Sequence, residues 1–178
     1  MGSVRDEIKQ GRPFRSPADE TVVTLLRTAD RLRTRLSGVV EAHGITLQQY
    51  NVLRILRGAG EAGLPTLEIA GRMIEHSPGI TRLLDRLEAR QLVRRERCPH
   101  DRRQVLCYAT AAGLRLLALV DDPLEREGAR FVSPLDARRA AELVRALDAL
   151  RNPAVPEAGP GPRETKRSRK TQKRETRP

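Results

Sequence analysis

Aromatic side chains are scarce in this chain, with two Tyr, two Phe and no Trp among 178 residues. That scarcity argues against single-strand nucleic-acid binders, which stack bases on aromatic platforms. It also leaves Leu, Val, Ile and Ala to fill the core, a composition that suits packed helices. Only Cys98 and Cys107 carry thiols, so no disulfide framework is implied and a reducing, cytoplasmic setting is expected. No apolar run approaches the roughly 20 residues of a membrane span, so no membrane partner is expected. The N-terminal MGSVRDEIKQGR lacks the apolar stretch of a signal peptide. Gly-rich phosphate loops, G-x-S-x-G and H-E-x-x-H are all missing, which leaves neither an enzyme chemistry nor a cofactor to expect. Cys98 and His100 supply at most two ligands to a zinc ion that needs three or four, so no metal is expected either.

Positive charge, by contrast, is abundant. Lys and Arg number 34 against 23 Asp and Glu, a net charge of +11. Such an excess favours a polyanionic partner, because neutralising phosphates releases condensed counterions. From Arg163 to Pro178 there are eight Lys/Arg and two Glu, net +6, so over half of the charge lies there. Residues 153–178 carry almost no apolar side chains and read as a disordered basic tail.

The remainder divides by hydrophobic period. Residues 1–15 are polar, interrupted by Gly11 and Pro13, and read as a flexible arm. Ser16-Pro17 is an N-cap followed by proline at the first helical position. Val22, Leu25, Ala29, Leu32, Leu36, Val39 and His43 then repeat at alternating steps of three and four, a long amphipathic helix within 16–45. Thr46 and Gln49 form a capping box opening a second helix through Tyr50, Leu53 and Leu56. Thr66 is placed to cap a short third helix with Leu67, Ala70, Met73 and Ile74 inward, and Ser77-Pro78 to start a fourth ending near Arg90. Leu92 to Arg97 and Arg103 to Ala109 are β-compatible runs around the turn CPHDR, a hairpin that sets Cys107 near Val93. Thr110 caps a fifth helix with Leu114, Leu117, Val120 and Leu124 in its stripe, where Asp122-Pro123 predicts a kink or restart. Ser133-Pro134 predicts the opening of a sixth helix, within 111–152.

The order α-α-α-α-β-β-α-α is thus mainly helical with a small β-hairpin wing. Residues 46–110 form a winged helix-turn-helix, a module that docks on double-stranded DNA. The segments 16–45 and 111–152 supply long terminal helices whose stripes pack together and against a second copy, giving a homodimer.

At 100° per residue the helix from Ser77 to Arg90 turns Ile80, Leu83, Leu84 and Leu87 to one side. Its first exposed turns offer Ser77, Pro78, Gly79, Thr81 and Arg82 to base edges and phosphates, with Arg86 reaching the backbone. The hairpin gathers Arg94, Arg95, Arg97, Arg102 and Arg103 in ten residues, a basic turn suited to the negative minor groove. Asp101 beside Arg103 is read as the carboxylate that orients its guanidinium.

TRLLDRLEARQLVRRERCPHDRRQVLCYATAAG resembles the signature of the MarR family, T-R-L-x-D-R-L-E-x-x-G-L-V-x-R followed by D-P-x-D-R-R and V-x-L-T-x-x-G. ITLQQYNVLRIL and TLEIAGRMI are similar to that family's second and third helices, and the likeness runs over about residues 20–150. It implies a homodimeric DNA-binding transcription regulator, a repressor in the usual case, with Arg103 as the minor-groove arginine. Gln91 stands where the family has Gly, Cys98 where it has Asp, and Ala109 where it has Leu. The other function that this charge pattern suits is a non-specific architectural DNA-binding protein. His43 and Tyr50 flank the first helix junction, either as core packing or as part of a pocket for a small aromatic or phenolic effector. Cys98, set among arginines, is a candidate for redox sensitivity.

Overall fold

A computed structural model of the chain describes residues 2–75, 79–98, 101 and 104–152. They fall into two units, divided between Pro134 and Leu135. The first contains α1 (Val4–Glu7), α2 (Pro17–Glu41), α3 (Leu47–Ala59), a 3-10 turn (Gly60–Ala62), β1 (Leu64–Pro65), α4 (Thr66–Arg72), α5 (Ile80–Ala89), β2 (Val93–Arg97), β3 (Val105–Ala109) and α6 (Ala111–Val132). The second contains α7 (Ala137–Arg151).

Local chemistry sets most boundaries. Ser16 accepts the Asp19 N–H at the head of α2, with Pro17 at its first position. At α3 the Thr46 hydroxyl accepts the Gln49 N–H at 3.2 Å while Gln49 accepts the Thr46 N–H at 3.0 Å, the expected reciprocal cap. The arm is more ordered than its composition predicts. Ser3 and Asp6 form a capping box on α1, and Glu7 pairs with Arg31 at 2.9 Å and Arg27 at 3.6 Å of α2.

The core of the first unit joins Val52, Leu53 and Leu56 of α3, Ile69 of α4, Leu83, Leu84 and Leu87 of α5, Cys107 of β3, and Leu117 and Val120 of α6. Three strands lie beside it in the antiparallel order β1-β3-β2. A two-residue strand ending in Pro65 leaves no period to detect, so β1 escapes sequence reading. Gly63, just before it, has φ +63 and packs flat on Tyr108, where a Cβ would fall 2.5 Å from the ring.

Several expectations need correcting. On α4 the phase is different: Leu67 and Ile74 are 85% and 81% exposed, while Ile69 is fully buried. Thr66 is not the N-cap of α4; Pro65 holds that position, and the Thr66 hydroxyl lies 3.9 Å from Cys107 Sγ. Cys107 pairs with Arg95 rather than near Val93, which faces Ala109. Helix α6 runs unbroken through Pro123. The carbonyl that Pro123 cannot engage belongs to Leu119, a residue 63% exposed. Asp136, not Ser133-Pro134, caps α7, accepting the Arg139 N–H at 2.8 Å.

The start of α6 is locked to the end of α5. Thr110 accepts the Gly113 N–H, donates its hydroxyl to the Gln91 carbonyl at 2.7 Å, and donates its own N–H to the Leu92 carbonyl. Gln91 holds φ +57, the left-handed region where Gly is least strained. Gly113 passes so near Leu92 that a Cβ there would lie 2.3 Å from the carbonyl oxygen and 3.2 Å from Leu53 Cδ2. Between α3 and α6, the Tyr50 hydroxyl donates to Asp121 at 2.7 Å and Arg57 pairs with the same carboxylate. Burial, reinforced by the bond to Asp121, pushes the Tyr50 hydroxyl up to about 12.

Two outcomes follow for stability. Gly113→Ala should cost about 2–4 kcal/mol in urea unfolding, because backbone rather than a flexible side chain opposes the new methyl. A variant as stable as the parent would contradict this packing. For Tyr50, the raised value favours the protonated fold, so its contribution is complete below about pH 10 and is lost as pH rises towards 12. Melting curves of Tyr50→Phe and the parent should therefore converge across that window. A constant gap between them would refute the buried bond.

Candidate nucleic-acid interface

Helix α5 is held by its apolar side. Leu83, Leu84 and Leu87 are buried and Ile80 is half-buried, while Thr81, Arg82, Asp85, Arg86 and Ala89 are exposed. Gly79, not Ser77, sits at the N-cap, so α5 starts later than the Ser77-Pro78 signal predicts, and the Gly79 carbonyl accepts the Leu83 N–H at 3.0 Å. No side chain caps α5 among the described residues, and a helix N-terminus of this kind favours an anion. Ser77 and Pro78, expected at this end, lie outside the described residues. Arg82 and Arg86 are exposed and form no ion pair among the described residues.

Two carboxylates on the same helix would repel phosphate, and one arginine pairs with both, offsetting one of their two charges. Arg95 of β2 donates through Nη2 to Asp85 at 2.6 Å and through Nε to Glu88 at 2.8 Å. The hydrogen bond from Arg95 holds the Glu88 carboxyl below the usual carboxylate range, and these contacts raise the guanidinium further. With Arg95 counted, the α5 surface carries three guanidinium groups against two carboxylates, a net +1. Arg95 appeared in the sequence only as one basic wing residue among five; its bracing role was missed. The available signal was the i, i+3 spacing of Asp85 and Glu88, which puts two acids on one side of the helix. A second brace joins the far end of α5 to the α2–α3 junction, where Arg90 donates to the Gly44 carbonyl.

Strands β2 and β3 carry the wing away from the core. Arg94 stacks 4.0 Å from the Tyr108 ring centroid and pairs with Glu96. The turn is closed by the Cys98 N–H on the Gln104 carbonyl and the Gln104 N–H on the Asp101 carbonyl. Asp101 is half-buried within this turn. Arg102 and Arg103 lie outside the described residues, as does the pairing expected between Arg103 and Asp101. Both thiols are free; Cys98 is half-buried at the turn, while Cys107 is buried, which pushes its thiol up. Cys98 lies opposite Gln104 and Cys107 three residues further along the same strand, an offset of about 10 Å.

A cavity of about 260 Å³ opens between α2, α3 and the segment after α4. Leu32, Leu36, Leu47, Tyr50, Met73 and Leu124 form apolar walls, and Arg33, Asn51, Arg54 and Glu75 stand at its polar parts. Tyr50 therefore lines a pocket as well as binding Asp121. His43 does not line it and stays half-buried at the end of α2.

The MarR family model matches residues 45–105, which include α5 and most of the wing. The HTH-type transcriptional regulator TtmR of Methylorubrum extorquens (strain PA1) is 40% identical over 98 residues, 55% of this chain and 49% of its own length. The match thus spans about half of that curated relative. The crystal structure of a MarR transcription factor from Planctomyces limnophilus is 38% identical, covering 76% of this chain and 98% of that one, with a TM-score of 0.60. The crystal structure of an S. aureus MepR-DNA complex covers 72% of this chain and 95% of its own at TM-score 0.67, but at 22% identity it is a likeness of fold.

Arg95→Ala should separate wing from helix. The expected result is a loss of about 1 kcal/mol in unfolding free energy together with weaker DNA binding, because Asp85 and Glu88 become unpaired charges. Unchanged affinity in a fluorescence anisotropy titration would show that the clamp does not matter to the interface.

Proposed function

The chain belongs to the MarR family of winged helix-turn-helix transcription regulators, non-enzymatic proteins, and from that premise we propose that it is a sequence-specific, effector-responsive repressor acting as a homodimer in the cytoplasm. The observation that carries this reading is the composition of the exposed side of α5. Thr81, Arg82 and Arg86 project there while the helix's own acids are held by Arg95. Arginine reads guanine through O6 and N7 in the major groove, and Thr81 is short enough for a base edge or a phosphate. The wing, with Arg102 and Arg103 at its turn, then follows the adjacent minor groove.

A second copy is supported by apolar surface left uncovered in one chain. Val22 and Leu26 of α2 are 56% and 66% exposed, and Leu119 of α6 is 63% exposed. On α7, Val144 and Leu150 are likewise exposed, and that helix buries none of its residues. A two-fold dimer places two copies of α5 in successive major grooves, so the operator is a pseudo-palindrome with half-sites about one helical turn apart, roughly 10 bp.

The effector is a small aromatic or phenolic acid held in the cavity beside Tyr50. Apolar walls accept a flat ring, and Arg54 offers a cation to a carboxylate. Binding there regulates DNA affinity if the occupied cavity favours a different spacing of the two α5 helices.

Selection from random duplexes tests the reading. It should return an inverted repeat bound at least about 10³-fold better than bulk DNA at physiological salt. Recovery of no preferred sequence would favour a non-specific architectural protein instead. Arg82→Ala should erase about 1–3 kcal/mol of discrimination at one base position per half-site, whereas uniform weakening on every sequence would demote Arg82 to a phosphate contact. Removing residues 153–178 should flatten the dependence of affinity on salt without changing which sequence is preferred. A changed preference would mean that the tail reads bases.

A further inference from the structure

The two ends of α5 are secured differently. Its C-terminal half carries the Arg95 clamp on Asp85 and Glu88, the Arg90 bond to Gly44 and the buried Leu87, and buried Leu83 and Leu84 anchor its middle. Its N-terminal end, from which Thr81 and Arg82 project, has half-buried Ile80 and no side-chain cap among the described residues. The last described residues before that end are 73–75. Gly79 is four residues beyond Glu75, a span of at most about 14 Å whatever path the three intervening residues take.

Residues 73–75 are fastened twice. The Asn51 side-chain oxygen on α3 accepts the Ile74 N–H at 2.9 Å, and Arg33 Nε on α2 pairs with Glu75 Oε1 at 2.7 Å. The two fasteners come from different helices and meet adjacent residues, so together they fix both position and direction. Neither Ile74, 81% exposed, nor Glu75 has burial to explain this order.

We propose that Arg33 and Asn51 form a clasp that aims the N-terminal end of α5, which makes them positioning residues for base reading. The inference rests on the DNA-binding reading of α5. Arg33 and Glu75 are 52% and 44% exposed, so their pair adds little to folding and exerts its effect through the placement of Thr81 and Arg82. Thr81 and Arg82 precede the buried anchors Leu83 and Leu84, and a small displacement of that first turn removes a side chain from hydrogen-bond range of a base edge.

Charge reversal in the full-length chain separates this from simple electrostatics. Arg33→Glu, Glu75→Arg and the double variant are compared with the parent on the selected operator by anisotropy, with melting temperature measured in parallel. Glu75→Arg is decisive, because it adds two positive charges and yet should weaken operator binding by about five-fold. Arg33→Glu should weaken it similarly, the double variant should return to within about two-fold of the parent, and all four should melt within about 2 °C. Tighter or equal binding by Glu75→Arg, or a double variant as weak as the singles, overturns the clasp. So does a fall in melting temperature that tracks the loss of affinity. If the parent itself shows no sequence preference, the DNA-binding reading fails and takes this inference with it.

Discussion

The guanidinium of Arg95 is the interaction on which the interface depends. It lies on a strand of the wing, yet its hydrogen bonds run to Asp85 and Glu88 of α5. One cation thereby does two things: it couples the wing to the helix, and it offsets one of the two negative charges that DNA would reject. With the side chain 26% exposed, the contact is screened less than an ordinary surface pair. The opposite residue, Cys107, is fully buried, so the base of the wing rests on core rather than on solvent. An arginine at the middle of a five-residue strand looks like surface charge until its partners on the preceding helix are seen.

The exit from α5 is equally constrained. Within four residues of the helix, Gln91 takes a left-handed conformation, Leu92 offers its carbonyl to Thr110, and Gly113 leaves room for that carbonyl. The Thr-x-x-Gly spacing at the start of α6 thus has a steric cause: a hydroxyl to cap the helix and a bare backbone one turn later, both directed at the same peptide. Gln91 shows that the left-handed position tolerates a side chain here, with Thr110 bonded to its carbonyl.

Much of the fold was legible because it is local. The capping pairs Thr46/Gln49 and Thr110/Gly113 hold, and the 3.6-residue period of α5 separates Leu83, Leu84 and Leu87 from Thr81, Arg82 and Arg86 as expected. Illegible features were those set by tertiary contact. Seven-residue α4 is too short for its stripe to fix a phase, so Leu67 was put inside and Ile69 overlooked. Strand β1 exists only because β3 pairs with it. The Arg33–Glu75 pair spans 42 residues and carries no motif. Of the site itself, Thr81, Arg82 and Arg86 are exposed on α5 as the helical period implies, Gly79 is the half-buried N-cap rather than part of an exposed first turn, and Tyr50 reaches the cavity whereas His43 does not. Ser77, Pro78, Arg102 and Arg103 lie outside the described residues, so the contacts expected of them rest on sequence.

The central claim is that the exposed side of α5 lies in the major groove of each half-site. Its most direct test is tethered cleavage: an iron chelate on Ala89→Cys, in a Cys98→Ser background that leaves only buried Cys107, is allowed to cut labelled operator. The account predicts two mirror-related clusters of cuts about one helical turn apart. Cuts spread evenly along the duplex, or none above those of the free reagent, would contradict it.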